Sequence, residues 1–345
     1  MSDRKLVIWM ASDAYPSWRV PDETVERVRE ALGEGWRVAR CEVPSMAGGD
    51  GARKAPDELT REIEDAEIYI GFGISRDLFL AARGLRWVHS GAAGVRGSLF
   101  EEMRASDVLL TNSAGIYAEP LAEWAIAGML HFARGFDIAA GGRADRRWRY
   151  EDMAGPGSPL RELGGATALV VGYGGIGSAI GRRAAALEMR VLAIRRRPSV
   201  RPASGAARVA GPEALAELLP EADYVVLALP ERRDRSVLIG AAELARMRPG
   251  AVLMNLARGS IVNEDALVAA LRSGRLRGAA LDVFRTEPLP PDSPLWGMEN
   301  VLITPHAGAI SHRFWERQTA LILENIGRYL RGEPLANLVD KEEGY

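Results

Sequence analysis

An arginine, a carboxylate and a histidine fall in that order between residues 255 and 308. Arg258 lies in Asn255-Leu-Ala-Arg-Gly259, Glu287 in Thr286-Glu-Pro-Leu289, and His306 in Thr304-Pro-His-Ala-Gly308. Reduction of a 2-oxo acid needs these three kinds of group. A guanidinium clamps a carboxylate by two parallel hydrogen bonds. An imidazole gives a proton to the oxygen as hydride reaches the carbon. A carboxylate holds the imidazolium and raises its pKa. Each residue also has a plain reading: Arg258 as a strand-end cap, Glu287 as a solvated loop acid, His306 as a satisfied structural histidine. Their shared motif context weakens those readings. His89, His131 and His312 lack such context and read as structural or exposed. With the single cysteine, Cys41, they make no ligand cluster, so no metal is expected. No Gly-x-Ser-x-Gly elbow points to a serine hydrolase.

A hydride needs a carrier, and Gly172-Tyr-Gly-Gly-Ile-Gly177 has the spacing of a dinucleotide loop. Its context carries more weight than its glycines, which number 37 in the chain. Thr167 to Val171 is a strand pattern and Ile176 to Leu187 a helical one. Gly172 permits the tight turn, Gly174 the approach of a pyrophosphate, and Gly177 close helix–strand packing. Gly175 and Ile176 open the helix whose N-terminus would hold the phosphates. The next strand ends at Ile194 and is followed by Arg195-Arg-Arg197-Pro, with no acid to bind a ribose 2′-hydroxyl. Arg195 and Arg196 suit a 2′-phosphate, so NADP is expected over NAD. Arginine is abundant throughout: of 44 basic residues only Lys5, Lys54 and Lys341 are lysine. The missing acid, rather than the arginines alone, decides for NADP.

These groups must be positioned by alternating strands and helices. At 345 residues the chain has room for about two domains. A net charge of −2 gives no electrostatic case for nucleic acid or an anionic membrane. No 18-residue apolar stretch spans a bilayer. The lone cysteine and the lack of a signal-peptide pattern make the cytoplasm the expected compartment. Strand patterns lie at 6–10, 36–41, 68–72 and 85–89, with helical ones at 21–32, 57–66 and 76–82. A long helix with a broad apolar face is expected over 119–139, and residues 150–160 read as loop. Alternation resumes with strands at 168–171, 191–194, 224–229, 251–255, 279–283 and 301–304, and a final helix over 311–330. This implies an α/β fold with two parallel sheets covered on both faces.

The pattern resembles the D-isomer-specific 2-hydroxyacid dehydrogenases. It is carried by the glycine loop, Asn255-Leu-Ala-Arg-Gly-Ser-Ile-Val-Asn263, Ala280-Leu-Asp-Val-Phe284, Thr286-Glu-Pro288 and Thr304-Pro-His306. The resemblance implies a doubly wound Rossmann domain over 110–310 and a flavodoxin-like substrate domain from 1–109 plus 311–345. It assigns Arg258 to the substrate carboxylate and keto oxygen, His306 to proton transfer, and Glu287 to orienting His306. Asp282 matches an acid that contacts the nicotinamide carboxamide. Pro230, Ala257 and Gly308 match the cofactor groove. Ala93 and Gly94, in Ser90-Gly-Ala-Ala-Gly-Val95, match a loop whose amides hold the carboxylate. Trp148 falls where some members send an aromatic into a partner's active site, and the helix over 119–139 is expected in a homodimer. Two departures stand out: Arg96 follows the substrate loop, where an acid is usual, and Glu231-Arg-Arg-Asp-Arg235 replaces a threonine-containing stretch. The expected activity is NADPH-dependent reduction of a glyoxylate- or hydroxypyruvate-like 2-oxo acid to the D-2-hydroxy acid. The alternatives are a phosphoglycerate dehydrogenase-like enzyme and a non-catalytic, dinucleotide-sensing binding protein.

Overall fold

The structure is a computed structural model that describes residues 4–13, 15–45, 55–198, 204–229 and 236–344. The chain divides into two compact units, Met1–Tyr117 with Ile310–Tyr345, and Ala118–Ala309. Each is built on a parallel sheet. In the first unit the strands are β1 (Arg4–Trp9), β2 (Trp36–Arg40), β3 (Ile68–Gly71), β4 (Trp87–Ser90) and β5 (Leu109–Thr111), in the order β2-β1-β3-β4-β5. That is the flavodoxin-like order. In the second unit they are β6 (Thr167–Val171), β7 (Arg190–Ile194), β8 (Arg208–Ala210), β9 (Tyr224–Leu227), β10 (Val252–Asn255), β11 (Gly278–Leu281) and β12 (Val301–Ile303). Their order, β12-β11-β10-β9-β6-β7-β8, reverses between β6 and β9, the doubly wound arrangement that leaves a ligand crevice at the carboxyl ends of those strands.

The local chemistry explains why the strands were visible as apolar runs. β3, β4, β6, β9, β10 and β11 are buried at every position, as sheets covered on both faces require. Helix Glu264–Arg272 starts where the Asn263 side chain accepts from the Ala266 amide at 3.0 Å, a cap worth about 1 kcal/mol. That cap ends the stretch running from Arg258 and so fixes where the arginine loop stops.

Three expectations change. The helix read as continuous over 119–139 is two, Ala118–Ala133 and Phe136–Asp145. Gly135 separates them at φ +67, where a Cβ would also lie 2.7 Å from Leu160 Cδ2. The stretch 150–160 read as loop contains a short helix, Tyr150–Ala154. The last helix begins at Phe314 rather than Ser311. No helix among the described residues is long and apolar enough to cross a membrane.

Candidate active site

The second unit brings Arg258, Glu287 and His306 together. β10 ends at Asn255, which is 1% exposed. Its Oδ1 accepts from Ala257 N at 3.1 Å and its Nδ2 donates to Arg258 O at 2.9 Å. This closed turn sets the path of Ala257, itself buried, and of the extended Arg258 backbone. Arg258 Nη1 donates to Ala257 O at 2.7 Å, leaving the remaining guanidinium donors for other acceptors. Gly259 then packs on the Phe284–Arg285 backbone so closely that a Cβ there would collide with Phe284 C and O. The arginine loop and the glutamate loop are thereby brought into backbone contact.

Glu287 spans that contact. Its Oε1 accepts from Phe284 N at 2.9 Å, and its Oε2 lies 2.7 Å from His306 Nδ1. Glu264, at the start of its helix, takes the Arg285 amide and steadies the same loop. Burial pushes the Glu287 carboxyl upward, but the hydrogen bonds from His306 and the Phe284 amide and the charges of His306 and Arg258 leave it below its ordinary value. For His306 the hydrogen bond to Glu287 dominates; with the charges of Glu287 and Asp282 it outweighs burial and the Arg258 charge, so the imidazole pKa is raised. Arg258 therefore sits close enough to act on both partners.

His306 itself is held in an uncommon conformation, φ +51. Asp282, 2% exposed, is the clamp. Its carbonyl accepts from His306 N at 2.8 Å. Its Oδ1 accepts from the Thr304 hydroxyl at 2.6 Å, from Ala307 N at 2.9 Å and from Gly308 N at 3.0 Å, and its Oδ2 accepts from Gly308 N at 3.1 Å. Trp124 donates to the Thr304 hydroxyl at 3.0 Å. In the sequence Trp124 is one residue of the long helix expected over 119–139, and Asn255 stands only inside a motif. Neither signalled its part in fixing the turns beneath Arg258 and His306.

The dinucleotide loop follows β6. Gly172 adopts φ +95, and a Cβ there would lie 2.5 Å from Ala228 O. A Cβ on Gly177 would collide with Gly172 O, whereas one on Gly174 would meet nothing within 4 Å. Gly172 and Gly177 thus serve internal packing, and Gly174 leaves open the face where phosphates would approach. Gly175 and Ile176 open helix Gly175–Ala186, so the first-turn amides fit an anionic pyrophosphate. Tyr173 turns inward, 5% exposed, and its hydroxyl donates to Ser204 O at 2.7 Å. Arg195 directly follows β7 and donates to Pro198 O, while Arg196 is exposed. Pro230 and the charged run 231–235 lie outside the described residues.

The remaining candidates belong to other places. Ala93 and Gly94 are in the first unit, on the loop that follows β4. Tyr117 donates to Gly91 O at 2.6 Å, Ser113 N to Ala92 O at 3.2 Å, and Asn112 Nδ2 to Ala93 O at 2.9 Å. Behind this loop His89 is wholly buried, with Nδ1 2.9 Å from Thr111 Oγ1 and Nε2 2.8 Å from Gln318 Nε2. The amide can only donate, so Nε2 accepts and the ring is neutral; burial holds its pKa down to about 3. Trp148 is 92% exposed. No group of three metal-binding side chains occurs among the described residues.

Known proteins resemble this chain in sequence and fold. The family model for the D-isomer specific 2-hydroxyacid dehydrogenase, NAD binding domain, matches residues 126–308. A glyoxylate reductase of Korarchaeum cryptofilum is 36% identical over 275 residues, covering 78% of this chain and 80% of its own length. A glyoxylate reductase of Thermococcus gammatolerans is 31% identical over 328 residues, covering 94% of each chain. The crystal structure of an NADPH-dependent glyoxylate/hydroxypyruvate reductase from Sinorhizobium meliloti, in complex with NADP and sulfate, superposes with a TM-score of 0.77 at 27% identity, covering 99% of this chain and all of the other.

Proposed function

The chain belongs to the D-isomer-specific 2-hydroxyacid dehydrogenase family and is an NAD(P)-dependent oxidoreductase acting on CH–OH donors; on that premise we propose that it reduces a small 2-oxo acid of the glyoxylate or hydroxypyruvate kind to the D-2-hydroxy acid, with NADPH preferred. The observation that carries this reading is the 2.7 Å pairing of His306 Nδ1 with Glu287 Oε2, under the charge of Arg258. Bound nicotinamide supplies the hydride. With Nδ1–H committed to Glu287, the Nε2–H of the imidazolium is the proton that goes to the keto oxygen. The ring is left neutral with its Nδ1–H still on the carboxylate. Arg258 pairs with the substrate carboxylate and stabilises negative charge growing on the oxygen. Within the first unit, the Ala93 and Gly94 amides of the loop after β4 are proposed to bind a carboxylate. In oxidation the neutral His306 takes the proton back.

Gly172, Gly174, Gly175, Ile176 and Gly177 would hold the pyrophosphate, with Ala257, Asp282 and Gly308 along the groove. Arg195 and Arg196 favour NADPH because they follow β7 at the position where an acid would exclude a 2′-phosphate. The Sinorhizobium relative, itself bound to NADP, is consistent with that preference. Replacing both arginines with serine is expected to lower the NADPH-to-NADH ratio of kcat/KM by roughly ten- to a hundredfold. Steady-state rates with glyoxylate and each cofactor measure this, and an unchanged ratio would remove the arginines from cofactor selection. A second copy of the chain is the expected partner, because Phe136, Trp148 and Tyr150 expose apolar surface at 55%, 92% and 65%. The compartment proposed is the cytoplasm, in keeping with the single, unpaired and buried Cys41.

A further inference from the structure

After the last helix the chain returns to the edge of the first unit's sheet. Thr111 and Leu338 form an antiparallel bridge, and Val339 N donates to Leu110 O at 2.8 Å. Covering an edge strand accounts for that pairing. It does not account for Asn337. This residue holds φ +54, a conformation that asparagine tolerates better than most. Its Nδ2 donates to Asn112 O at 3.2 Å and to Ala114 O at 2.8 Å, and its carbonyl accepts from Asn112 N at 3.2 Å. On the far side, fully buried Asn325 brackets Ala336, accepting its amide at 2.7 Å and donating to its carbonyl at 3.0 Å.

Asn112 passes this fixation to the loop. It is 5% exposed, its Oδ1 accepts from Ala114 N at 3.1 Å, and its Nδ2 donates to Ala93 O at 2.9 Å. The Ala93–Gly94 peptide is a trans plane, so the carbonyl and the Gly94 N–H point in opposite directions. Gripping one aims the other. Ser113 N does the same one peptide earlier, through Ala92 O at 3.2 Å. Among the described residues, neither the Ala93 nor the Gly94 amide has a hydrogen-bond acceptor within the protein.

We infer that Asn112 and Asn337 are positioning residues for the substrate carboxylate: a relay of asparagines runs from the final helix through the C-terminal segment and aims the Gly94 amide. This rests on the reading of the 90–95 loop as the carboxylate holder. Two variants test it. Asn337→Gly keeps the left-handed backbone accessible and deletes both side-chain donors; Asn337→Asp keeps the size but turns an acceptor toward Asn112 O and Ala114 O. The KM for glyoxylate rises about tenfold in the glycine variant and further in the aspartate variant, while kcat and the KM for NADPH stay at the parent values. Oxalate binding to the NADP-loaded protein, followed by calorimetry, weakens by the same factor. A merely structural role would lower the folded fraction, and so kcat, without moving KM. A parent-like glyoxylate KM in folded Asn337→Gly, or equal rises for both substrates, overturns the inference. If the parent turns over no 2-oxo acid, the functional reading fails separately. Hydrogen exchange of residues 88–98 then decides the relay: faster exchange in Asn337→Gly supports it and unchanged protection refutes it.

Discussion

Exchanging His306 for glutamine lowers kcat for 2-oxo acid reduction by roughly a hundred- to ten-thousandfold, the range lost with a general acid, and leaves NADPH affinity intact. The structure gives two reasons. The imidazole is the only one of the four joined to a carboxylate among the described residues, and its backbone is held at φ +51 by Asp282. The side chain is therefore presented by its surroundings and not by chance. The glycine loop lies on other elements, so binding of the dinucleotide does not need the ring. The pH dependence has a definite sign. The Glu287 hydrogen bond raises the His306 pKa against the opposing effect of burial. The acid form thus persists above the pH at which a free imidazole loses its proton. Reduction is flat below that raised value and declines as pH climbs through it, whereas oxidation, which needs the neutral ring, gains. Glu287→Gln removes the main cause and shifts the alkaline limb to lower pH. Stopped-flow pH profiles check both. An unshifted limb in Glu287→Gln, or a near-normal rate in the His306 variant, would remove the pair from proton transfer.

Loss of the Arg258 guanidinium is the second large effect. Arg258→Ala should reduce kcat/KM by about a thousandfold, combining a lost charge-assisted clamp with lost stabilisation of the developing oxyanion. Arg258→Lys should recover little, because an ammonium cannot reproduce two parallel donors. The loop geometry makes the experiment clean. Asn255 and Gly259 set the backbone on either side, through the Asn255 turn and the close pass at Phe284, so the loop keeps its shape when the side chain shortens. Steady-state kinetics in both variants, with the melting midpoint as a control on folding, provide the measurement. Kinetics close to the parent in Arg258→Ala would refute its role.

The architecture was legible because parallel strands buried on both faces are apolar throughout, and because β6, the glycines and the following helix form one contiguous signal. Short edge strands were harder to read. β8 has three residues, only partly buried, and carries no alternation that a window could detect. The break at Gly135 was lost because a glycine inside a helical pattern is compatible with either a tolerated defect or a stop; Leu160, distant in sequence, decides it. In the site, Arg258, Glu287 and His306 stood out through motif context. Trp124 did not, and neither did the Asn112–Asn337 relay, because their roles reside in hydrogen bonds between residues up to 225 positions apart; Asn255 did not because its bonds close a local turn that the motif alone does not reveal. Glu287 and His306 are separated by 19 residues, yet only the fold shows which carboxylate oxygen faces the ring and which is committed to Phe284.

The proposed chemistry moves a hydride onto the carbon of a 2-oxo acid while His306 supplies the proton. Incubating the protein with NADPH deuterated at both C4 positions and with glyoxylate, hydroxypyruvate or phenylpyruvate, then locating the label by mass spectrometry, tests it most directly. One deuterium bonded to C2 of the resulting 2-hydroxy acid is expected for at least one of these acids. Tight cofactor binding with no label transferred to any of them would contradict it and point instead to a dinucleotide sensor.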